Sequence, residues 1–294
     1  GMTIYDFAVF GAQAVDLGPS VTVKGGLVGG NADVSIGGQA RAEEGVRSIG
    51  DFSTGTNAYC GPIIANGDVY LGGGSDVYGS LDAGGDVSTG TTVKVFGNVT
   101  AGGTAYFGGS SSILPDPATT VGGNVLAGAP LSGSYYTVST GTSVKIDGDL
   151  GSRGRVWLLG SARVTGDATL PGGTANLTLH PTADIGGLVI DALPTVVPAS
   201  FSPIALPAPT PLPAGPHPSV SVGLGGSWSL AAGSYVFDGI AIGKDATVTF
   251  DLTGGPINIL VANDVSVGTG TKMFLVNGTA DMVSFEVHGN WVSG

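Results

Sequence analysis

From Gly67 the chain alternates apolar and small polar positions in blocks of six: GDVYLG, GGSDVY, GSLDAG, GDVSTG, TTVKVF, GNVTAG, GTAYFG. Val, Leu, Tyr and Phe suit a pleated, half-buried surface, and Gly, Asn, Asp and Ser stand where a chain turns. Alternation over three or four residues, punctuated by glycine, predicts short strands rather than helices. Three blocks make 18 residues, and Val77-Tyr-Gly-Ser-Leu81 returns after that interval as Val95-Phe-Gly-Asn-Val99.

The same five-residue pattern recurs at Val23–Leu27, Val121–Val125, Ile146–Leu150, Val164–Ala168 and Val287–Trp291. From Val77 to Val164 the successive gaps are 18, 26, 25 and 18 residues. A fixed period with occasional insertions is the mark of stacked repeats. It predicts an all-β, parallel β-solenoid (β-helix) of about 18-residue coils, with a right-handed wind expected. Some 12–15 coils at the ~4.8 Å strand spacing would make a rod roughly 60–70 Å long. A β-sandwich also recurs in short strands and turns, but does not explain this register. Residues 90–102, GTTVKVFGNVTAG, and 141–153, GTSVKIDGDLGSR, lie 51 residues apart. They read as two coils of one rod, nearly three periods apart, with Lys94 and Lys145 outward between inward Val93/Val95 and Val144/Ile146.

One segment breaks the pattern. Residues 194–218 hold nine of the seventeen prolines, which excludes a central strand or a helix. Its Val, Ile, Leu and Phe residues favour a strap packed along the outside over a free linker. The expected organisation is solenoid coils over 1–193, the strap over 194–218, and further coils over 219–294, forming one continuous domain. Residues 39–50, QARAEEGVRSIG, are the charge-dense stretch and a candidate cap or short helix.

Composition agrees with strand and turn chemistry: 54 glycines, 11% charged residues and 42% hydrophobic residues. A net charge of −12 with ten scattered basic residues leaves no patch to neutralise phosphates, so nucleic acid is not an expected partner. Cys60 is the single cysteine, which excludes an intrachain disulfide and reads as a buried structural thiol. No apolar run reaches the ~20 residues of a membrane span. Gly1 ahead of Met2 reads as a tag remnant, so an export signal and an anchor are expected outside this stretch.

Candidate chemistry is sparse. Thr-Gly-Thr occurs at Thr54–Thr56, Thr89–Thr91, Thr140–Thr142 and Thr269–Thr271, and Thr247 and Thr249 form a strand pair. Two Thr separated by one strand residue share a face about 7 Å apart, which gives one possible binding face. Glycine before an alternating run equally gives a turn. Asp68, Asp76, Asp82 and Asp86 are weak calcium candidates, because that ion needs six to eight oxygens; no other cofactor is expected. Arg153, Arg155 and Arg163 near Asp147, Asp149 and Asp167 are the one basic–acidic concentration, read as a salt-bridge ladder. His180, His217 and His288 have no metal-binding spacing, and no nucleophile elbow, P-loop or dinucleotide fingerprint is present. No catalytic residue is assigned, and the chain is expected not to be an enzyme.

Two stretches carry a family likeness. Phe7-Ala-Val-Phe10, then Val23-Lys-Gly through Gly29-Gly-Asn-Ala32, resembles the opening of bacterial choice-of-anchor A domains. Gly233-Ser-Tyr235-Val-Phe237, Thr247–Asp251, Ile257–Val261 and Val287-His-Gly289 resemble the last coils of the ice-binding-like β-solenoid family. The resemblance implies a secreted or surface-attached bacterial β-solenoid. Ice-binding members carry a long helix beside the solenoid, for which this sequence has no counterpart; the strap is expected to fill its groove. The expected function is structural or adhesive, towards a surface, glycan or matrix partner, outside the cell. Ice binding through a Thr rank is one alternative, and a polysaccharide lyase or hydrolase is another.

Overall fold

The computed structural model describes residues 2, 6–12, 14–118, 122–131, 135–204, 210–279 and 282–293. Val121, which heads one copy of the five-residue pattern, lies outside them, as do residues 205–209 of the proline-rich segment. The chain is an all-β parallel β-solenoid of about 12 turns with almost no helix.

Each coil of residues 7–191 contributes strands of mostly three residues to three sheets, of ten, thirteen and nine strands. We call these the strap face, the broad face and the charged face. Among the described residues the strands pair in parallel, the one antiparallel bridge, Pro115 with Gly122, lying outside the strands. Ile63, Leu81 and Val99 stack directly over one another. On the strap and broad faces these short strands bury their first and last residues and turn the middle one outward, because side chains alternate across a strand. On the charged face the middle residue, as Val77 or Val95, is buried and its neighbours face out. Val69, Leu71, Val87 and Phe107 are at most 1% exposed, and they belong to one core that runs the length of the stack.

The corners explain the glycine content. A Cβ added at Gly84 or Gly102 would overlap the carbonyl oxygen of Asn66 or Gly84 one coil away. Coils at strand spacing leave no room there for any larger residue. Asp and Asn fill the other corner positions, where a side-chain oxygen accepts from the next coil. Asp51 N–H donates to Asp33, Asp68 N–H to Asp51, Asp86 N–H to Asp68 and Thr104 N–H to Asp86, all at 2.6–2.9 Å. A second ladder joins Asn98, Asn124, Asp149 and Asp167, giving the fourth residue of the five-residue pattern its role.

Two expectations are corrected. Lys94 pairs with Ser112 and Ser112 with Lys145, so the two similar stretches are two coils apart, not nearly three. The extra residues leave the stack between Leu114 and Val138, while the period inside it stays near 18. Residues 39–50 are not a helix. Arg41–Ala42 and Val46–Ser48 are strands on two faces, and Gly45 turns the corner between them at φ 117°.

Residues 220–293 form a second stack with its own core, built around Phe250, Ile257 and Val261. Its last strand, Trp291–Ser293, lies beside Val15–Leu17 of the first coil, where Asp16 pairs with Val292. The broad face therefore runs through both stacks, and the end of the chain sits directly below its beginning.

The proline-rich segment makes this order possible by returning along the strap face. Phe201 and Ile204 are buried, and each is clasped through its backbone by one asparagine. Asn66 Oδ1 and Nδ2 meet the N–H and carbonyl of Phe201, both at 2.8 Å. Asn31 does the same for Ile204, both at 2.9 Å. Thr210 then donates to Glu286 of the second stack. At the polyproline II rise the ten steps from Pro194 to Ile204 would cover roughly 31 Å, and the six strand spacings beneath them cover roughly 29 Å.

Replacing Asn66 by Ala strands both backbone groups of Phe201 under a buried side chain. We expect a loss of about 1–3 kcal/mol, read from urea denaturation midpoints. Asn31→Ala should cost a similar amount, and the two losses should nearly add.

Candidate functional site

The strap covers one of the three long faces, so the broad and charged faces carry the side chains available to a partner. On the broad face the outward middle residues form a single row in register. It reads Asp16, Ser35, Ser53, Tyr70, Ser88, Tyr106, Ser139, Trp157 and Thr178. Tyr70, Tyr106 and Trp157 are 51%, 45% and 36% exposed. They occupy every second coil, separated by serines, and so lie about 9.5 Å apart, twice the strand spacing. Tyr136 packs on Trp157 with ring centroids 5.1 Å apart.

Beside this row run the carboxylates of Asp33, Asp51, Asp68 and Asp86, each two residues before an outward position and on the same side of the pleat. Together with Ser35, Ser53, Tyr70 and Ser88 they edge a shallow groove of about 570 Å³. Arg155 stands two residues before Trp157, at the far end.

The interior repeats with the same two-coil period. Thr54, Thr89 and Thr140 are buried and alternate along the stack with Leu71, Phe107 and Leu158. Their hydroxyls accept from the N–H of Gly72, Gly108 and Leu159, at 2.9, 3.0 and 3.1 Å. Buried Ser75 and Ser111 bridge the same corner by donating to the carbonyls of Gly55 and Gly90. The second Thr of each motif, at 56, 91 and 142, lies beyond the corner and is exposed. Thr-Gly-Thr is thus split between core and surface, because glycine turns the chain between its two hydroxyls. Thr247 and Thr249 do share one face, but their rows are Ser227, Thr247, Lys272 and Ser229, Thr249, Phe274. Thr269 is exposed, and half-buried Thr271 donates to the carbonyl of Gly268. These ten threonines do not assemble into one rank.

The four aspartates proposed for calcium also separate. Asp68 and Asp86 belong to the corner ladder, Asp76 faces outward on the charged face beside Tyr59 and Lys94, and Asp82 lies under the strap. Among the described residues no three His, Cys, Asp or Glu side chains group as a metal site.

The basic–acidic concentration disperses as well. Lys145 pairs with Asp147 at 2.9 Å and Arg163 with Asp184 at 3.9 Å, while Asp149 and Asp167 hold the second corner ladder. The hydrogen bond from Lys145 is the main influence holding the Asp147 carboxyl below its usual range. His180 contacts Thr182, His217 the carbonyl of Pro213 and His288 Glu286, at three separate places. Cys60 is buried in the core, and burial pushes its thiol up to about 12, well above reactive values.

No protein-family model and no curated protein sequence matches the chain. Among solved structures it is similar to a possible adhesin C-terminal domain from Caldicellulosiruptor kronotskyensis. The likeness has 13% identity and a TM-score of 0.33, over 99% of this chain and 92% of the other. Among the described residues no helix is long and apolar enough to cross a membrane.

The sequence reading missed Tyr70, Tyr106 and Trp157. Their signal lies in the alternation of Val-Tyr-Leu, Ala-Tyr-Phe and Val-Trp-Leu with two copies of Val-Ser-Thr, legible once the period is taken as two coils.

Thr54→Val keeps the shape of the buried side chain but leaves the Gly72 N–H without its acceptor. Unfolding free energy should fall by about 1–3 kcal/mol, measured by urea denaturation, and Thr54→Ser should recover most of the loss.

Proposed function

We propose that this chain is a non-enzymatic, adhesive β-solenoid module that works outside the cell as a stiff spacer with a binding face. The observation that carries this reading is the continuity of the broad face. Thirteen parallel strands from two stacks form one sheet roughly 60 Å long, and its outward row of serines and aromatic rings is left open by the strap.

Asp33, Asp51, Asp68, Asp86, Asp149 and Asp167 hold corner ladders and the ion pairs are scattered along the rod, an arrangement suited to stiffness rather than bond making. A long interface of hydroxyls and rings gains from repetition, because linked weak contacts reinforce one another. The module therefore suits a repetitive target, such as a glycan or matrix layer, better than a small ligand.

The test is binding of the intact chain to a panel of immobilised polysaccharides, matrix proteins and whole cells, each at two salt concentrations. Retention on at least one repetitive surface, without turnover of it, is expected. Failure to bind any member, or release of products from one, would overturn the proposal.

A further inference from the structure

We infer that the ring row on the broad face is a binding site for one extended, uncharged polysaccharide chain of the β-1,4-linked type, laid along the solenoid axis. The inference rests on the adhesive reading and names the ligand class.

Three features point to this occupant. The first is spacing. In an extended β-1,4-linked chain each pyranose ring advances by about one strand spacing and is flipped relative to its neighbours, so equivalent faces recur every second ring. Tyr70, Tyr106 and Trp157 recur every second coil, in step with those faces. An aromatic ring offers an apolar surface against the C–H face of a sugar and keeps a polar group for the wet side.

The second feature is what lies between and beside the rings. Ser53, Ser88 and Ser139 occupy the other coils of the row. Hydroxyls both donate and accept, as the sugar hydroxyls do. Asp33, Asp51, Asp68 and Asp86 each give one oxygen to a corner N–H, and an ionised carboxylate has further lone pairs to accept from sugar hydroxyls.

The third is charge complementarity. Four carboxylates edge the groove from Ser35 to Ser88, where Tyr70 is the ring of the row that lines it, and no basic side chain lines it. This stretch of the row therefore favours a hydrogen-bond-donating neutral chain and repels uronic acid polymers and nucleic acids. Arg155 stands only at the Trp157 end.

The same molecule contains a contrast. On the charged face Tyr59, Tyr78 and Phe96 stack ring on ring, with centroids 4.7 and 4.6 Å apart, and Arg41 caps Tyr59. Those rings cover one another, whereas rings two coils apart leave a gap over each serine.

The experiment measures depletion of the intact chain from solution by four insoluble probes: cellulose, chitin, starch granules and cross-linked polygalacturonate. Cellulose or chitin should bind it, with starch and polygalacturonate far weaker. Tyr70→Ala, Tyr106→Ala and Trp157→Ala should each weaken binding about fivefold, the scale of one aromatic contact, and the triple variant should abolish it. All three rings are on the surface, so thermal melting should stay near that of the parent, and the single variants decide the matter if the triple one fails to fold. Tyr106→Ser combined with Ser88→Tyr keeps the number of rings but breaks the two-coil spacing; it should bind as poorly as Tyr106→Ala. Undiminished binding by the ring-shifted or the triple variant would overturn the inference. Binding confined to starch, polygalacturonate or a protein surface, unaffected by the alanine variants, would overturn it and leave the adhesive module standing. Binding to none of the four probes would overturn the inference, and the adhesive reading would fall with it only if the matrix proteins and whole cells of the wider panel also failed to bind.

Discussion

Every coil of this chain is held by hydrogen bonds that run along the axis, and the structure follows from keeping that ladder in register. A parallel stack repeats at one strand spacing, so whatever stands at a given place in one coil meets its counterpart in the next. Where two backbones approach at a corner, as at Gly84 and Gly102, no Cβ fits. Where a little more room exists, Asp or Asn spans the gap with one oxygen, as from Asp33 to Thr104. The low charge content has the same origin: a core that runs the whole length, wrapped in short strands, offers few positions for long ionic side chains.

Register also links the interior to the surface. The inward Thr of one coil accepts from the backbone of the next, and a large apolar residue fills the space above it, so core composition alternates with a two-coil period. The outward neighbours alternate in step, serine beside Thr54, Thr89 and Thr140 and a ring beside Leu71, Phe107 and Leu158. Ring spacing on the broad face is therefore set by core packing rather than by flexible loops, and this gives the face its regularity as a binding surface.

Much of the fold was legible in the sequence because periodicity is a local property. Val77–Leu81 and Val95–Val99 announce the coil length, and the alternation around Lys94 and Lys145 gives the inward and outward positions correctly: Val93, Val95, Val144 and Ile146 are buried, and both lysines are exposed. What depends on long-range pairing was not legible. No local signal says that Trp291–Ser293 returns to Val15–Leu17, or that insertions on either side of Val125–Ala127 lengthen the apparent distance between two similar coils. The Thr-Gly-Thr motif misled as a face because its glycine turns a corner, which spacing alone does not reveal. The aromatic row escaped notice because its period is two coils, and the insertion stretches one interval from 36 to 51 residues.

The account stands on the junction where the second stack meets the first coil, since the continuity of the broad face depends on it. Asp16 and Val292 are paired strand neighbours with exposed side chains. Adjacent parallel partners lie about 4.8 Å apart, within the range a disulfide spans. The direct measurement is mass spectrometry of an Asp16→Cys, Val292→Cys protein in a Cys60→Ala background, after mild air oxidation and non-reducing proteolysis. The account predicts a disulfide closed within single chains. Cysteines that stay reduced, or that link only different molecules, would contradict it.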